Sequence, residues 1–411
     1  MSEPRSQASH VVRLAESEER SISEDVGAIG NPGPLAGLRV IELTGLGPAP
    51  FCAMVLSDLG AEVLRIERTG LPKTRADAVD RRMVLTRGRP VVGVDLKRLE
   101  GVGVVMRMLE HADVLLEGFR PQVLERVGLG PDDCLKRNPR LIYGRVTGYG
   151  REGPLAAEAG HDINYISIAG ALDPIGRRGE APVPPLNLVG DFGGGGMLLA
   201  MGILAAVYER GRSGLGQVVD AAMVDGAALL TTMFHEIRSR SLWHDERGSN
   251  ILDTGSHYYN VYETSDGEFV SVGAMEPRFY RSFMKGLGFA AESIPPQDDR
   301  SKWDALKELV AEIFLSKSRA EWLQIFEGTD ACVTPVLSLA DAPNHPQNVE
   351  RCTFVRVGDV VEPAPAPRFS RTPAPVPAPP PEPGVHADRT LVQWGLSEEE
   401  IARLVGEGTI D

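Results

Sequence analysis

Apolar and polar positions along this chain follow a rhythm that changes twice. A short apolar run over 39–43 predicts a strand, 51–59 a helix ended by Gly60, and 61–66 a second strand. The theme returns with a helix over 102–110 and strands over 113–117 and 141–146. Strands alternating with helices predict an α/β fold, a mainly parallel sheet with helices on both faces. Residues 197–208 are apolar nearly all round, which predicts a buried helix. Beyond Gly226 the texture differs. Runs over 258–263 and 268–272 flank Ser265-Asp266-Gly267, a hairpin signal, and amphipathic helices are expected over 303–314 and 319–326. This predicts a smaller α+β unit. After Pro343 the chain turns to Pro and Ala, with an extended connector over 363–383 and a short helix over 398–405.

The pattern divides the chain into five stretches. Residues 1–33 are polar and expected to be a disordered extension, and 34–226 form the large α/β domain. Residues 227–257 are a linker helix region, 258–342 the small α+β domain, and 343–411 a Pro-rich segment. A length of 411 residues with 42% hydrophobic content suffices for two cores. A net charge of −14 argues against nucleic acid or an anionic membrane as partner. No apolar run reaches the roughly 18 residues of a membrane span. Cys52, Cys134, Cys332 and Cys352 lie far apart, form no zinc pattern and read as reduced thiols. A cytoplasmic location is expected. Gly45-Leu46-Gly47 after the first strand hints at a dinucleotide fingerprint. Its third glycine is missing and Pro48 and Pro50 intervene, so bound NAD is not expected.

Two stretches carry candidate chemistry. Gly160-His161-Asp162-Ile163-Asn164-Tyr165 and Asn187-Leu188-Val189-Gly190-Asp191 each offer a titratable side chain beside pliable backbone. A histidine and a carboxylate across a carbon acid suit two-base proton transfer, with one removing the proton and the other returning it. Imidazole serves either way near its ordinary pKa of roughly 6.5. Asp191 before a glycine run also reads as a turn residue and Asp162 as a helix cap, so pattern alone leaves both readings open. A cationic stretch over 65–98 holds ten basic residues against four acidic, a surplus of six in an acidic chain. It is either a solvated face or a site for phosphates.

The run from Gly160 to Tyr165, continued by Ile166-Ser167, and the run Pro185-Leu186-Asn187-Leu188-Val189-Gly190-Asp191-Phe192 resemble the α-methylacyl-CoA racemase signature. That branch belongs to the type III (formyl-CoA-type) CoA-transferase superfamily. Similarity continues through Gly60–Arg68, Val94-Asp95-Leu96-Lys97, Gly216–Gly226, Gly273-Ala274-Met275-Glu276 and Gly328–Val336, over about residues 34 to 370. The resemblance implies a Rossmann-like large domain without nicotinamide, to which the carboxy-terminal segment returns, and an interlocked homodimer. It implies an acyl-CoA substrate, no further cofactor and no metal. It makes His161 and Asp191 the two bases for epimerising (2R)- and (2S)-2-methylacyl-CoA through an enolate. Asp162 would place its N–H near the thioester oxygen, Asn187 would orient Asp191, and Glu276 would reach His161 from the partner subunit.

Substrate contacts implied by the same motifs are Arg68, Val94, Asp95, Leu96 and Lys97, with Gly160, Ile163, Asn164 and Tyr165. Arg68 and Lys97 are the leading phosphate or adenine candidates; Arg126, Arg87 and Arg89 match less tightly. Tyr165 either lines the acyl or pantetheine tunnel or is a core aromatic. The alternative is a type III CoA-transferase, in which Asp162 is the nucleophile and forms an anhydride; there the preceding residue is typically aromatic, and here it is His161. A non-catalytic CoA-binding scaffold would predict a lost base, and both are present. The chain departs from the family at Thr254-Gly255-Ser256-His257, where His257 either adjusts acyl preference or faces solvent. The glycine run after Phe192 is fuller than usual, with no chemical consequence evident from sequence.

Overall fold

A computed structural model describes residues 33–70, 83–379 and 387–411. The extension over 1–33, except Gly33, lies outside them, as do Lys73, Arg75, Arg81, Arg82 and the end of the Pro-rich connector. The large unit is built on six strands: β1 (Arg39–Leu43), β2 (Glu62–Glu67), β3 (Val91–Gly93), β4 (Val114–Glu117), β5 (Ile142–Thr147) and β6 (Gln217–Ala222). They pair in parallel in the order β3-β2-β1-β4-β5-β6. Every residue of β4 and β5 is buried, including the charged Glu117 and Arg145 that interrupt their otherwise largely apolar runs. The strand order reverses direction between β1 and β4. In such sheets the loops diverge there and leave a crevice at the carboxyl ends of the strands.

Each face of the sheet carries its own core. On one, Val104, Val105 and Met108 of the helix Leu99–Met108 pack with Leu391, Trp394, Leu404 and Ile410 from the far end of the chain. The carboxy-terminal segment therefore returns to the large unit. Ile410 bridges Val94 beside β3, and the Arg39 guanidinium lies 4.1 Å over the Trp394 ring. On the other face Cys52, Ala53 and Leu56 of the helix Pro48–Asp58 meet Leu199 and Ile203 of the helix Leu198–Ser213.

Three sequence expectations are corrected here. The helix over 197–208 is not buried all round: Met197, Met201, Ala205 and Tyr208 form an exposed stripe. Apolar composition could not reveal it, because the stripe is as apolar as the buried face. The same helix continues from a π-helical start, so Leu188–Ser213 makes 26 residues with a mean hydropathy of 1.6 in its most apolar window. By length and composition it could cross a membrane, contrary to the sequence estimate. Its inner face packs on β5 and β6. Arg87 and Arg89 are not phosphate ligands. Arg87 is buried against Asp58 and Glu362, and Arg89 pairs with Glu42 at 2.5 Å with neither side chain exposed. They are internal ion pairs; the Arg87–Glu362 pair fastens the return segment.

The small unit has an antiparallel sheet of β7 (Tyr259–Glu263), β8 (Phe269–Gly273) and β9 (Val333–Pro335). Helices Pro277–Gly286, Trp303–Phe314 and Arg319–Phe326 cover it around Tyr262, Phe283, Phe314, Trp322 and Phe326. His257 is fully buried in this core, its Nε2 2.9 Å from the Tyr280 hydroxyl. Burial pushes its pKa down to about 4, with Lys307 adding to the shift. It neither faces solvent nor lines the cavity described below. A further antiparallel pair, β10 (Phe354–Val357) and β11 (Val360–Pro363), opens the Pro-rich segment.

Candidate active site

Loops leaving β1, β4, β5 and β6 enclose a cavity of about 370 Å³ at the crevice. Leu46, Gly47 and Pro48 come from the first loop, Gly118, Phe119, Arg120 and Pro121 from the second, and Gly148 and Tyr149 from the third. Gly160, His161, Tyr165 and Asp191 complete the wall. His161 stands immediately before the helix Asp162–Ile168; Asn164 fixes it there by accepting the His161 backbone N–H at 3.0 Å. Tyr165 is a core aromatic that also reaches the cavity. Its ring belongs to the core of the large unit, edge-on to Tyr149 at 4.9 Å, and also lines the cavity. The Tyr165 hydroxyl donates to the Gly160 carbonyl. A side chain at Gly160 would collide with Tyr165 and Tyr149, so this corner admits only glycine.

Asp191 projects from a π-helical stretch, Leu188–Met197. One-turn widenings of this kind recur at functional sites because they rotate a side chain out of the helical register. The glycine run has a packing reason that sequence did not show. A Cβ on Gly194 would meet Ala227 N at 2.7 Å, and one on Gly196 would meet Phe51 Cδ1 at 2.7 Å. Glycines thus let the wide turn press against the helices Pro48–Asp58 and Met223–Leu230, with Phe192 stacked on Phe51 at 4.4 Å.

Four neighbouring residues set the surroundings of Asp191. Asn187 Nδ2 donates to its Oδ2 at 3.2 Å, and Gly47, at φ 69, leaves room for that oxygen where a Cβ would stand 3.2 Å away. Asp162 Oδ2 accepts the backbone N–H of Asp191 at 2.7 Å. Burial raises the Asp191 pKa above the ordinary aspartate value. The Asn187 donor opposes that shift, the Asp162 charge adds to it, and the His161 charge opposes it. Asp162 itself is buried and does not line the cavity, and its Oδ1 has no hydrogen-bond partner among the described residues.

Arg68, Val94, Asp95, Leu96 and Lys97 come together in a second cavity of about 440 Å³, at the ends of β2 and β3. Phe119 lines both cavities, so they adjoin across the β1/β4 reversal. Arg126 joins neither and donates to the Gln122 carbonyl at 3.0 Å. Ile163 is half exposed outside the first cavity. Glu276 stands at the N-cap position of the helix Pro277–Gly286 in the small unit, without a side-chain capping bond, and does not line the cavity of its own chain. Sequence reasoning missed Gly47, Phe119, Arg120 and Tyr149. The available signal was positional: each follows the carboxyl end of a strand.

Sequence comparison decides the family: the model for CoA-transferase family III matches residues 35–387. The chain belongs to that family. Among family members it is 47% identical over 379 residues to the mouse protein named alpha-methylacyl-CoA racemase, covering 92% of this chain and 97% of that one. Identity to the human protein of the same name is 46% over 380 residues, with the same coverages. Among solved structures, Rv3272 from Mycobacterium tuberculosis superimposes with a TM-score of 0.73 at 28% identity. It covers 88% of this chain and 99% of the other. The parallel sheet and its helical layers are thus the architecture of this transferase family.

Proposed function

We propose that this enzyme is an α-methylacyl-CoA racemase that interconverts (2R)- and (2S)-2-methylacyl-CoA by removing and returning the C2 proton. The observation that carries this reading is that His161 and Asp191, from different elements, face one cavity at the crevice. One takes the proton from its side of C2; the other, protonated, delivers one from the opposite side. Between these steps the thioester oxygen carries enolate charge. Arg120 in the cavity wall would stabilise it. Asn187 orients Asp191. The second cavity, with Arg68 and Lys97, would take the nucleotide end of CoA. The two side chains and the substrate supply the whole reaction, so no cofactor is invoked.

The transferase alternative needs Asp162 as a nucleophile. Its Oδ2 instead holds the Asp191 N–H, and the side chain is buried outside the cavity. That geometry suits support of Asp191 and favours the racemase.

A homodimer is part of the same reading. The apolar stripe through Met197, Met201 and Tyr208, at 48%, 60% and 73% exposure, needs a cover, and Glu276 is not among the residues lining the cavity that holds His161. A cytoplasmic location is supported by four free cysteines, two of them exposed. The test is incubation of one (2S)-2-methylacyl-CoA in deuterated water. Deuterium should enter C2 and both epimers appear without an added acceptor acid. His161→Ala and Asp191→Ala should each slow this by about 10²–10⁴-fold. Turnover that requires a carboxylate acceptor and leaves C2 unlabelled would point to CoA transfer instead.

A further inference from the structure

Glu117 ends β4 and is 2% exposed, yet it touches neither cavity. Its Oε2 accepts the Phe119 N–H at 2.7 Å, and its Oε1 lies 3.3 Å from Arg145 Nε on the neighbouring β5. Arg145, 3% exposed, also reaches Glu125 Oε1 at 3.3 Å, and Arg151 reaches that same oxygen at 2.5 Å. A cluster of two acids and two arginines, with Glu117 and Arg145 buried and Glu125 and Arg151 half-buried, therefore adjoins the loop 118–121 through the Phe119 N–H. That loop supplies Phe119 to both cavities and Gly118, Arg120 and Pro121 to the reactive one.

The surroundings of Glu117 make its charge state changeable. Burial pushes its pKa up to about 7, against the pull of the Phe119 N–H and Arg145. Glu125 adds to the rise and Arg151 opposes it. From β5 the Tyr143 phenol also feels the Glu117 charge, and on β6 Asp220 shares the fields of Arg145 and Arg151. On β1 the nearest acid, Glu42, is engaged by Arg89 and Arg65. Ionised, Glu117 offers two acceptor oxygens, one to the Phe119 backbone and one towards Arg145. Protonated, it gives up its countercharge to Arg145 and weakens its hold on Phe119, because hydrogen bonds to charged groups are the stronger kind.

We propose that Glu117 is a positioning residue for acyl-CoA: its carboxylate sets the loop 118–121, the wall shared by the two cavities, and proton uptake there loosens substrate binding. This rests on the acyl-CoA reading given above. Binding tightens as pH rises through neutrality and weakens as pH falls, while proton transfer between His161, C2 and Asp191 keeps its own pH dependence. Glu117 acts through Phe119 and touches no reacting atom.

The test compares wild type with Glu117→Gln, a neutral side chain of the same shape, from about pH 6 to about pH 8.5, spanning the Glu117 transition. KM and kcat are read from C2 deuterium exchange, and Kd for acetyl-CoA from calorimetry. The 3′-phosphate of CoA titrates in the same window, but identically for both proteins, so the difference between them is the readout. Wild-type KM and Kd should rise about tenfold more than those of the variant on acidification, as for loss of a charge-assisted hydrogen bond. At high pH the variant should bind about tenfold more weakly, with kcat preserved. Equal pH profiles for the two proteins, or a loss confined to kcat, would overturn the proposal. Should Glu117→Gln fail to fold, wild-type binding of acetyl-dephospho-CoA, which lacks the titrating phosphate, decides: binding that still weakens near neutrality supports the role, and flat binding refutes it. Absence of C2 exchange in wild type would sink the racemase reading alone, since the Kd comparison does not need turnover.

Discussion

Asp191 is held between opposing influences: burial and Asp162 raise its pKa, while Asn187 and His161 oppose the rise. A carboxylate with a raised pKa is a stronger base, but it loses its basic form at a higher pH than an exposed aspartate would. The acid limb of the exchange rate, measured with the epimer whose proton Asp191 removes, should therefore lie above the usual aspartate range. Asn187→Ala removes the donor that opposes this rise, so the acid limb should move to still higher pH. Exchange rates followed across pH with each epimer separately check this, and an unmoved limb would mean that Asn187 does not tune the base. In sequence, His161 and Asp191 stood out through the resemblance, since pattern alone left their readings open; the structure brings both to one cavity. Gly47 did not stand out, because its role is to make room for an oxygen that arrives from about 140 residues away, by topology alone.

The elements show the same division. Strands β1, β2, β4 and β5 were legible because their short runs are rich in Val, Ile and Leu and alternate with helical stretches. The β10/β11 pair escaped notice because its residues sit among prolines and an arginine, where alternation is masked. The π-helical turn was equally invisible, since a glycine run looks like a loop until its neighbours are known. Those neighbours make the turn sensitive. A Cβ on Gly226 would stand 1.9 Å from the Gly194 carbonyl oxygen, far inside contact distance and against backbone that cannot step aside. Gly226→Ala should therefore lower stability by about 1–3 kcal/mol, the usual range for overpacking, and displace the Asp191 turn. Chemical denaturation measures the first effect and exchange kinetics the second; an unchanged denaturation midpoint would show that the contact relaxes freely.

At the scale of the molecule, the proposed homodimer turns on the stripe along the helix Leu198–Ser213. A second copy would cover it and bring a small unit, with its Glu276, towards a cavity that lacks it. Met201→Glu places a charge in the middle of that stripe. Light scattering should then change from twice the 44.4 kDa chain mass to the single mass, with exchange activity lost as the chains separate. A wild-type protein that runs as a monomer at full activity would remove the partner from the site.

Phe119 touches both cavities, and this has a consequence for selectivity. If the nucleotide is anchored on one side of that ring, the pantetheine arm becomes a ruler that delivers every thioester to the same place. The acyl tail beyond C2 can then vary in length and bulk while the stereocentre stays in register with its two proton donors.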